Sequence, residues 1–287
     1  MKKLSNTYCG YIGIFGKQNV GKSTLLNKII GSKVSITSCK PGTTINNIIG
    51  ITTKNNYQTI YIDTPGISIK KEKNFLYKNH NAFKNKENLK LIIFIINKTI
   101  WSKIDDIILK KIKMFSIPII LVINKIDCIN DKTILLPFIN TIKNKHNFNA
   151  IIPLSAKTEE NIKILLKQVK KNIPKSIFDF PKHYKTNSSH LFMISEIIRE
   201  KLMRFLGQEL PYLITVKIDT YKINKLTGKC FIYALIFVKN DRHKKIVIGK
   251  KGEKIKYCSM LARKDIEKII HKSTYLNLWV KKILNIV

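Results

Sequence analysis

The stretch YCGYIGIFGKQNVGKSTLLNKII, residues 8–30, decides the fold of the first part of the chain. An apolar run over residues 8–15 predicts a buried strand, and the segment over residues 22–30 predicts a helix. Between them, GKQNVGKS at residues 16–23 matches the pattern G-x-x-x-x-G-K-[ST]. Glycines in such a loop let backbone N–H groups face phosphate oxygens, and the helix N-terminus adds positive potential. The stretch therefore predicts a phosphate-binding loop.

The side chains at the end of this loop have distinct predicted roles. Lys22 is expected to reach the β- and γ-phosphates of a nucleotide, and the Ser23 hydroxyl to bind Mg²⁺. A chance glycine turn is the alternative, but the flanking strand and helix argue against it. The other predicted nucleotide contacts in this stretch are Gly16, Asn19, Val20, Gly21 and Thr24.

A second motif, DTPG at residues 63–66, follows an apolar run over residues 58–62. Asp63 is expected to hold Mg²⁺ or its hydration shell, and the Gly66 N–H to meet the γ-phosphate. Thr64 and Pro65 complete the predicted contact segment. The motif alone is weak, because strand-end turns often have this composition, but its position after a phosphate loop strengthens it.

A third motif, NKID at residues 124–127, predicts which base is bound. The Asp127 carboxylate can accept hydrogen bonds from N1–H and the 2-amino group of guanine. Adenine offers neither donor and would leave the charged acceptor unpaired, which favours GTP over ATP. Asn124 is expected to shape the base pocket, and the Lys125 stem to lie on the purine. The segment expected to supply a backbone N–H for guanine O6 is Ser155, Ala156 and Lys157.

Short apolar runs alternate with longer helical segments over residues 1–172, which predicts a doubly wound α/β sheet. The predicted strands are residues 8–15, 58–62, 89–96, 117–123 and 150–154, and the predicted helices are residues 22–30, 105–115, 133–147 and 161–172. A proline-containing stretch over residues 173–190 predicts a linker.

Residues 191–287 show a different order of elements, α-β-β-α-α-β, which predicts a smaller α+β domain. A helix at 195–206, strands at 212–218 and 230–238, helical segments at 255–271 and a strand at 275–281 are expected. VIGKKGEKI at residues 247–255 resembles the core of a KH domain, in its type II topology, whose G-x-x-G loop clamps four nucleotides. The alternative is a helix-capping turn with solvated lysines. The expected RNA-binding residues are Ile248, Gly249, Lys250, Lys251, Gly252, Lys254 and Ile255.

Three segments, at residues 8–37, 61–66 and 195–212, resemble the Era family of ribosome-assembly GTPases, and the resemblance covers nearly the whole chain. It implies GTP hydrolysis with Mg²⁺ and binding to small-subunit (16S) ribosomal RNA near its 3′ end during small-subunit biogenesis. A GTP-switched factor acting on another RNA, such as tRNA, is the alternative. The resemblance also implies that Thr44, with Thr43 not excluded, closes over Mg²⁺, and that Lys22, Thr44 and Gly66 serve catalysis.

Several residues bear on catalysis or depart from the family pattern. Asn19 matches an Asn that helps hold K⁺ in potassium-activated GTPases, although turn geometry explains it equally well. Ile67 stands where Ras-type enzymes carry a water-orienting Gln, which predicts slow intrinsic hydrolysis. Ile45 replaces the usual Arg after the Thr pair. The chain stops at Val287, soon after the last expected strand, which is expected to weaken part of the RNA groove.

Charge and cysteine usage narrow the function classes further. The 287 residues contain 53 Lys and Arg against 18 Asp and Glu, a net charge of +35. Such an excess of positive charge favours a polyanionic partner. The alternative is a genome-wide composition bias toward Lys, which would give a similar net charge. Five widely spaced cysteines indicate neither a disulfide framework nor a zinc site. The absence of a long apolar stretch predicts a cytoplasmic protein, with peripheral membrane association allowed, and we expect a monomer.

Overall fold

The computed structural model describes residues 6–37, 48–66, 89–206 and 214–283. These residues form two compact units. The first contains the described residues up to Ser35 and from 48 to Asn187, and the second contains residues 36–37 and the described residues from Ser188 onward. Each unit has a hydrophobic core of its own. Within the described residues, no helix has the length and apolar character needed to cross a membrane.

The first unit is a six-stranded sheet with helices on both faces. Strand order is β2-β3-β1-β4-β5-β6, and only β2 runs antiparallel to its neighbour. Its elements are β1 (Tyr8–Phe15), α1 (Lys22–Ile30), β2 (Ile48–Lys54), β3 (Tyr57–Asp63), β4 (Leu89–Asn97), α2 (Lys103–Lys113), β5 (Ile119–Asn124), α3 (Leu135–Lys143), β6 (Ala150–Pro153) and α4 (Ile162–Lys171).

Alternation of side chains across the central strands explains why both faces are covered. On β4, Ile93 and Ile95 belong to a core shared with α1 and α4, whereas Ile92 and Phe94 belong to a core shared with α2 and α3. Side chains at successive strand positions point to opposite faces, so a continuous apolar run fits a strand buried on both sides. The doubly wound α/β fold expected from the sequence is thereby confirmed.

The expected elements differ from the structure mainly at their ends and at one strand. The segment expected as a helix at 133–147 is a short 3₁₀ turn followed by α3, which ends at Lys143. Strand β2 was not predicted from the sequence, and Gly50, its third residue, weakened the strand signal. The same glycine gives α1 room to pack closely, because a Cβ at Gly50 would lie 2.7 Å from Leu26 Cδ1 and would displace that side chain.

Parts of the segment expected as a linker, residues 173–190, are held against the first unit by hydrogen bonds. Ile51 N–H donates to the Lys185 carbonyl, and the Thr186 hydroxyl donates to the Ile49 carbonyl. Fully buried Gln58 accepts from the N–H groups of Asp179 and Phe180 and donates to the Phe180 carbonyl. These hydrogen bonds satisfy the edge of β2 and a buried amide, which sequence composition did not reveal.

The second unit has the expected α-β-β-α-α-β order. Its three-stranded sheet, β7-β8-β9, pairs β7 with β8 antiparallel and β8 with β9 parallel. Its elements are α5 (His190–Phe205), β7 (Thr215–Ile223), β8 (Cys230–Val238), α6 (Asp241–Ile248), α7 (Glu253–Ile270) and β9 (Thr274–Lys282).

The positions of the paired helices correct the sequence expectation. Both were expected after the glycine turn, within residues 255–271, but α6 lies before the turn and α7 is one continuous helix after it. Helix α6 has only eight residues and is rich in charge, so its periodicity is short. Its N-terminus is fixed by the Asn240 side chain, which accepts a hydrogen bond from His243 N–H.

Replacement of Gln58 tests whether that side chain holds the connecting segment in place. Gln58→Ala removes the acceptor of the N–H groups of Asp179 and Phe180, and each of these part-buried hydrogen bonds is worth about 0.5–1.5 kcal/mol. We expect trypsin to cut within residues 181–187 faster than in the wild type under native conditions, as followed by mass spectrometry. Met114→Ala, at an exposed position, should not change that rate; equal rates for Gln58→Ala and wild type would contradict the assignment.

Candidate functional site

The four segments expected to bind a nucleotide lie at the carboxyl ends of parallel strands of the first unit. They follow β1, β3, β5 and β6, which are neighbours or near neighbours in the sheet. Because parallel strands end at the same edge, loops that are far apart in sequence meet there. The chain also reverses its direction of travel across the sheet at β1, and such switch points commonly form ligand crevices.

The phosphate loop has a backbone that tolerates only particular residues. Gly21, at the start of α1, has φ +97°, and a Cβ there would lie 2.3 Å from Asn124 Nδ2. Asn19 also occupies the left-handed region, with φ 61°. Glycine is therefore needed at position 21 for the observed loop path, and Asn at position 19 is a residue type that accepts a left-handed conformation.

The Lys22 side chain is buried against the loop from which it projects. Its ammonium group donates to the carbonyls of Gly16, at 3.1 Å, and Lys17, at 2.8 Å. Burial lowers the pKa of Lys22 to about 8, and the nearby Asp63 carboxylate opposes this shift. A cation in this position lies within the loop whose backbone is suited to phosphate.

Asp63 lies beside Ser23 at the end of β3. One carboxylate oxygen accepts from the Ser23 hydroxyl at 2.6 Å and from the Ser35 hydroxyl at 3.1 Å. The other oxygen, Oδ1, is buried without a hydrogen-bond partner among the described residues. Burial raises the pKa of Asp63, while Lys22 and the two hydroxyl donors act in the opposite direction. Hydroxyl and carboxylate oxygens are the ligands that Mg²⁺ prefers, so this pair fits that ion.

Asn124 connects the phosphate loop with the loop after β6. Its amide nitrogen donates to the Val20 carbonyl at 2.7 Å, and its amide oxygen accepts from Ala156 N–H at 3.0 Å. The side chain is almost fully buried. Asn124 therefore shapes the site by holding two loops, and the N–H of Ala156 is engaged in that role.

Asp127 presents an ionised carboxylate at the surface of the site. Its Oδ1 accepts from the Ser155 hydroxyl at 2.6 Å, and Ser155 Oγ in turn accepts from Thr158 N–H. The Ser155 hydrogen bond is the main reason that the pKa of Asp127 lies below its usual value. Lys125 Nζ donates to the Asn19 carbonyl at 2.6 Å, which ties the base-binding loop to the phosphate loop.

The remaining expected positions of the nucleotide site differ in how they are placed. Thr64 is buried, and its hydroxyl donates to the Ile14 carbonyl, so it stabilises the end of β1. The Gly66 carbonyl lies 3.4 Å from Gln18 Nε2, which brings the DTPG turn to the phosphate loop. Pro65 and Thr24 are half-buried and Lys157 is exposed. The expected switch residues Thr43, Thr44, Ile45 and Ile67 lie outside the described residues.

One contact in the site was not expected from the sequence. Ser35 bonds to the same Asp63 oxygen as Ser23, although it lies in a stretch without a recognised motif. The Asn27 side chain holds this stretch, because its amide oxygen accepts from the N–H groups of Val34 and Ser35. A Ser in a Ser- and Lys-containing loop carries no sequence signal of this kind.

In the second unit, the G-x-x-G turn separates α6 from α7. Gly249 has φ +76°, and a Cβ there would lie 2.7 Å from Lys254 Cγ and 3.1 Å from its backbone nitrogen. The other expected RNA-binding residues surround this turn: Lys250, Lys251 and Lys254 are exposed, Gly252 is half-buried, and Ile248 and Ile255 pack against the second core.

The fold and these sites define a P-loop GTPase joined to a KH domain. A family model described as 50S ribosome-binding GTPase matches residues 11–125, and one described as KH domain matches residues 209–285. The chain is 49% identical to GTPase Era of Buchnera aphidicola subsp. Acyrthosiphon pisum (strain APS) over 280 residues, covering 97% of this chain and 99% of the relative. The chain belongs to the GTPase Era family.

Further relatives cover the chain to the same extent. GTPase Era of Haemophilus influenzae (strain PittGG) is 46% identical over 282 residues, which is 98% of this chain and 93% of the relative. A crystal structure of Era in complex with MgGDPNP and nucleotides 1506–1542 of 16S ribosomal RNA matches with a TM-score of 0.90 at 38% identity, covering 96% of this chain and 94% of that chain. An Aquifex aeolicus Era variant bound to GDP·AlF4⁻ matches with a TM-score of 0.90 at 37% identity, with the same coverage of both chains. The expected membership of the Era family is confirmed.

The lowered pKa of Lys22 predicts a proton linked to nucleotide binding. Phosphate oxygens favour the ammonium form, so the pKa of Lys22 rises when a nucleotide binds, and a proton is taken up above pH 8. The Kd for GDP should therefore rise as the pH increases from about 8, approaching tenfold per pH unit. Isothermal titration calorimetry in buffers of different ionisation enthalpy measures that proton.

A charge-preserving variant provides the control for this measurement. Lys22→Arg keeps the positive charge across the same pH range, because the guanidinium stays protonated, and should abolish the pH dependence whatever its effect on affinity. A wild-type Kd that is constant from about pH 7 to about pH 9 would show that Lys22 does not titrate there.

Two residues of the NKID motif should respond differently to substitution. Asn124→Ala leaves the Val20 carbonyl and the Ala156 N–H buried without hydrogen-bond partners. We therefore expect the free energy of unfolding of the nucleotide-free protein to fall by about 1–3 kcal/mol for each unsatisfied group. Asp127→Asn alters an exposed side chain; its stability should match wild type, while base preference moves from GTP toward xanthosine triphosphate. Urea unfolding and competition binding measure both effects. Similar changes in the two variants would refute this division of roles.

Proposed function

We propose that this GTPase binds single-stranded RNA near the 3′ end of 16S ribosomal RNA and acts in the biogenesis of the small ribosomal subunit. The observation that carries the proposal is the exposed Lys250 and Lys251 pair on the G-x-x-G turn of a KH domain, in one chain with a guanine-nucleotide site. The Era structure that contains 16S ribosomal RNA nucleotides 1506–1542 supports the choice of RNA. A net charge of +35 supports a polyanionic partner.

We propose the following roles for the nucleotide site. The loop from Gly16 to Thr24 surrounds the phosphates, with Gly16, Asn19, Val20 and Gly21 contributing backbone. Ser155, Ala156 and Lys157 form the wall beside guanine, and the Ser155 hydroxyl holds the Asp127 carboxylate in an ionised form toward N1–H and the 2-amino group. Discrimination against adenine then follows from the unpaired carboxylate that adenine would leave.

Ser23 and Asp63 fit Mg²⁺ in this proposal, and Thr44 is the third residue that we assign to it. The ion, when bound, neutralises charge on the β- and γ-phosphates. Asp63 Oδ2 accepts hydrogen bonds from the hydroxyls of Ser23 and Ser35, and these two contacts orient the carboxylate. Such preorganisation lowers the cost of binding an ion with strict geometry.

Charge stabilisation is the catalytic contribution that we assign to this chain. The Lys22 ammonium, now bonded to two carbonyls of its own loop, would exchange those acceptors for phosphate oxygens. Together with Gly66 N–H and the loop N–H groups, it would stabilise the charge that develops on the transferred phosphoryl group. Ile67 offers no hydrogen bond to water, so intrinsic hydrolysis should be slow unless water is positioned by backbone, another group or a partner.

A potassium ion at Asn19 is a finer proposal about the same site. Asn19 is part of the phosphate loop, has a left-handed backbone conformation, and its carbonyl accepts a hydrogen bond from the Lys125 ammonium group. K⁺ at that position would add positive charge near the β- and γ-phosphates.

Turnover measured in two salts tests this ion. At equal ionic strength, kcat for GTP should be roughly tenfold or more higher in KCl than in NaCl, because removal of one stabilising charge or donor costs at least that much. The Kd for GDP serves as the control and should be similar in both salts. Equal kcat values in the two salts would contradict the proposal that K⁺ binds at Asn19.

Charge reversal on the G-x-x-G turn tests the RNA-binding proposal. Lys250→Glu with Lys251→Glu should weaken binding to a 16S 3′-end fragment and reduce the slope of log K against log salt by about 1.4, since each single-strand phosphate contact contributes about 0.7. GTP turnover without RNA should stay unchanged. Lys163→Glu with Lys167→Glu on α4 is the control with the same change of charge.

The identity of the RNA is tested separately, by crosslinking the protein to cellular RNA with GTP and with GDP. Enrichment of 16S sequences near the 3′ end supports the proposal, whereas enrichment of tRNA would support the alternative of a factor acting on another RNA.

We further infer that the protein acts as a monomer in the cytoplasm, where the proposed subunit assembly takes place.

A further inference from the structure

The sheet of the second unit has one face packed against helices and one face open. On β8, Ile232, Ala234 and Ile236 are fully buried in the core with the helices. Phe231 and Tyr233 alternate with them and are only partly buried. Since successive strand residues point to opposite faces, Phe231 and Tyr233 belong to the open face, away from α5, α6 and α7.

Aromatic rings form a connected group on this open face. Phe231 and Tyr275 are opposite each other on β8 and β9, with ring centroids 5.8 Å apart, and Tyr233 lies 6.2 Å from Tyr275. Tyr275 is 44% exposed and Trp279, further along β9, is 58% exposed. Lys229 Nζ lies 5.9 Å from the Phe231 ring centroid. Ring faces and a cation in contact with them are therefore available on one surface.

Lysines flank these rings along the same face. Lys222 is opposite Phe231 and Lys217 is opposite Leu235, while Lys281 is opposite Phe237. All three lysines are exposed. Directly opposed residues on neighbouring strands share a face, so the register places these cations on the aromatic side.

A depression on this face provides space for a ligand next to the rings. It has a volume of about 560 Å³ and is lined by Lys222, Phe231 and Tyr233 together with Asp219 and three further residues of the β7–β8 hairpin. Asp219 lies at the irregularity of β7 and adds one acidic group among the lysines. The balance of charge on the face remains positive.

From this arrangement we propose that the open face of β7-β8-β9 is a second RNA-binding surface, which takes unpaired bases by stacking on Phe231, Tyr275 and Trp279. Flat aromatic side chains combined with surrounding cations are the means by which proteins bind single strands without strict sequence preference. This surface lies on the opposite side of the sheet from the helices that carry the G-x-x-G turn. The inference rests on the proposed RNA-binding function and adds a separate segment of the RNA to it.

Charge decides between RNA and a second copy of the chain as the occupant. Two copies of this face would bring Lys217, Lys222 and Lys281 of one copy toward like charges of the other, which is unfavourable. A phosphate backbone would instead be complementary to these lysines. A single-stranded RNA segment accordingly fits both the rings and the charges.

The experiment uses the full chain and labelled single-stranded RNAs of two lengths, four nucleotides and about 20 nucleotides, because a G-x-x-G loop holds four. Tyr275→Ala with Trp279→Ala should weaken binding of the longer RNA by roughly tenfold or more, in the range of one or two lost stacking contacts. Binding of the short RNA should not change. Fluorescence anisotropy measures both.

Control variants separate stacking from a loss of structure. Leu226→Ala removes an apolar side chain that is 97% exposed in the same unit and should bind like wild type. Trp279→Phe keeps a ring and should retain most of the affinity. Lys217→Glu with Lys222→Glu gives a second test without touching an aromatic residue, and should also weaken the longer RNA selectively.

The outcomes distinguish this inference from the function on which it rests. Wild-type protein that binds neither RNA overturns the RNA-binding function and the second surface together. If the aromatic and the lysine variants both bind the longer RNA with the affinity of the wild type, only the second surface is overturned. Sedimentation that shows a dimer dissociating in these variants, with RNA affinity unchanged, would identify the face as a self-association surface and also overturn the inference.

Discussion

Burial of Lys22 and Asp63 next to each other is the constraint on which the nucleotide site depends. Removing a charged group from water is costly unless other groups compensate it. Here the ammonium group is bonded to two loop carbonyls, and the carboxylate accepts from two hydroxyls while keeping one buried oxygen without a partner among the described residues. Negative phosphates and a divalent cation carry charges opposite to those of Lys22 and Asp63, so the packing of the sheet edge suits a ligand that brings both.

The two ends of the nucleotide site are mechanically connected within the first unit. Asn124 and Lys125 come from the motif that is assigned to the base, yet both bond to the phosphate loop, at the carbonyls of Val20 and Asn19. A shift of either loop therefore disturbs the other. This coupling uses carbonyl acceptors of the loop, whose geometry the positive-φ residues of that loop fix.

Much of the fold and site could be predicted because those parts are governed by local rules. The strand, glycine loop and helix from Tyr8 to Ile30 follow from periodicity and from backbone angles that only glycine accepts at Gly21. The features that the sequence did not predict depend on tertiary contacts. Strand β2 carries a glycine because α1 passes over it, helix α6 is too short to show periodicity, and the stretch after Ile173 is held by Gln58, a single buried amide. Ser35 reaches Asp63 through the fold of its loop, which no motif encodes.

The alternation of isoleucine across β4 helps to explain how a chain rich in Ile and Lys forms a well-packed core. A β-branched side chain has few rotamers even in an unfolded strand-like conformation, so it gives up little freedom when it is buried in a sheet. The central strands supply many of the buried positions in the first unit, and lysine occupies many helix and loop surfaces. A chain enriched in these two residue types can thus keep a well-packed interior, since the enrichment falls at positions where each is physically suited.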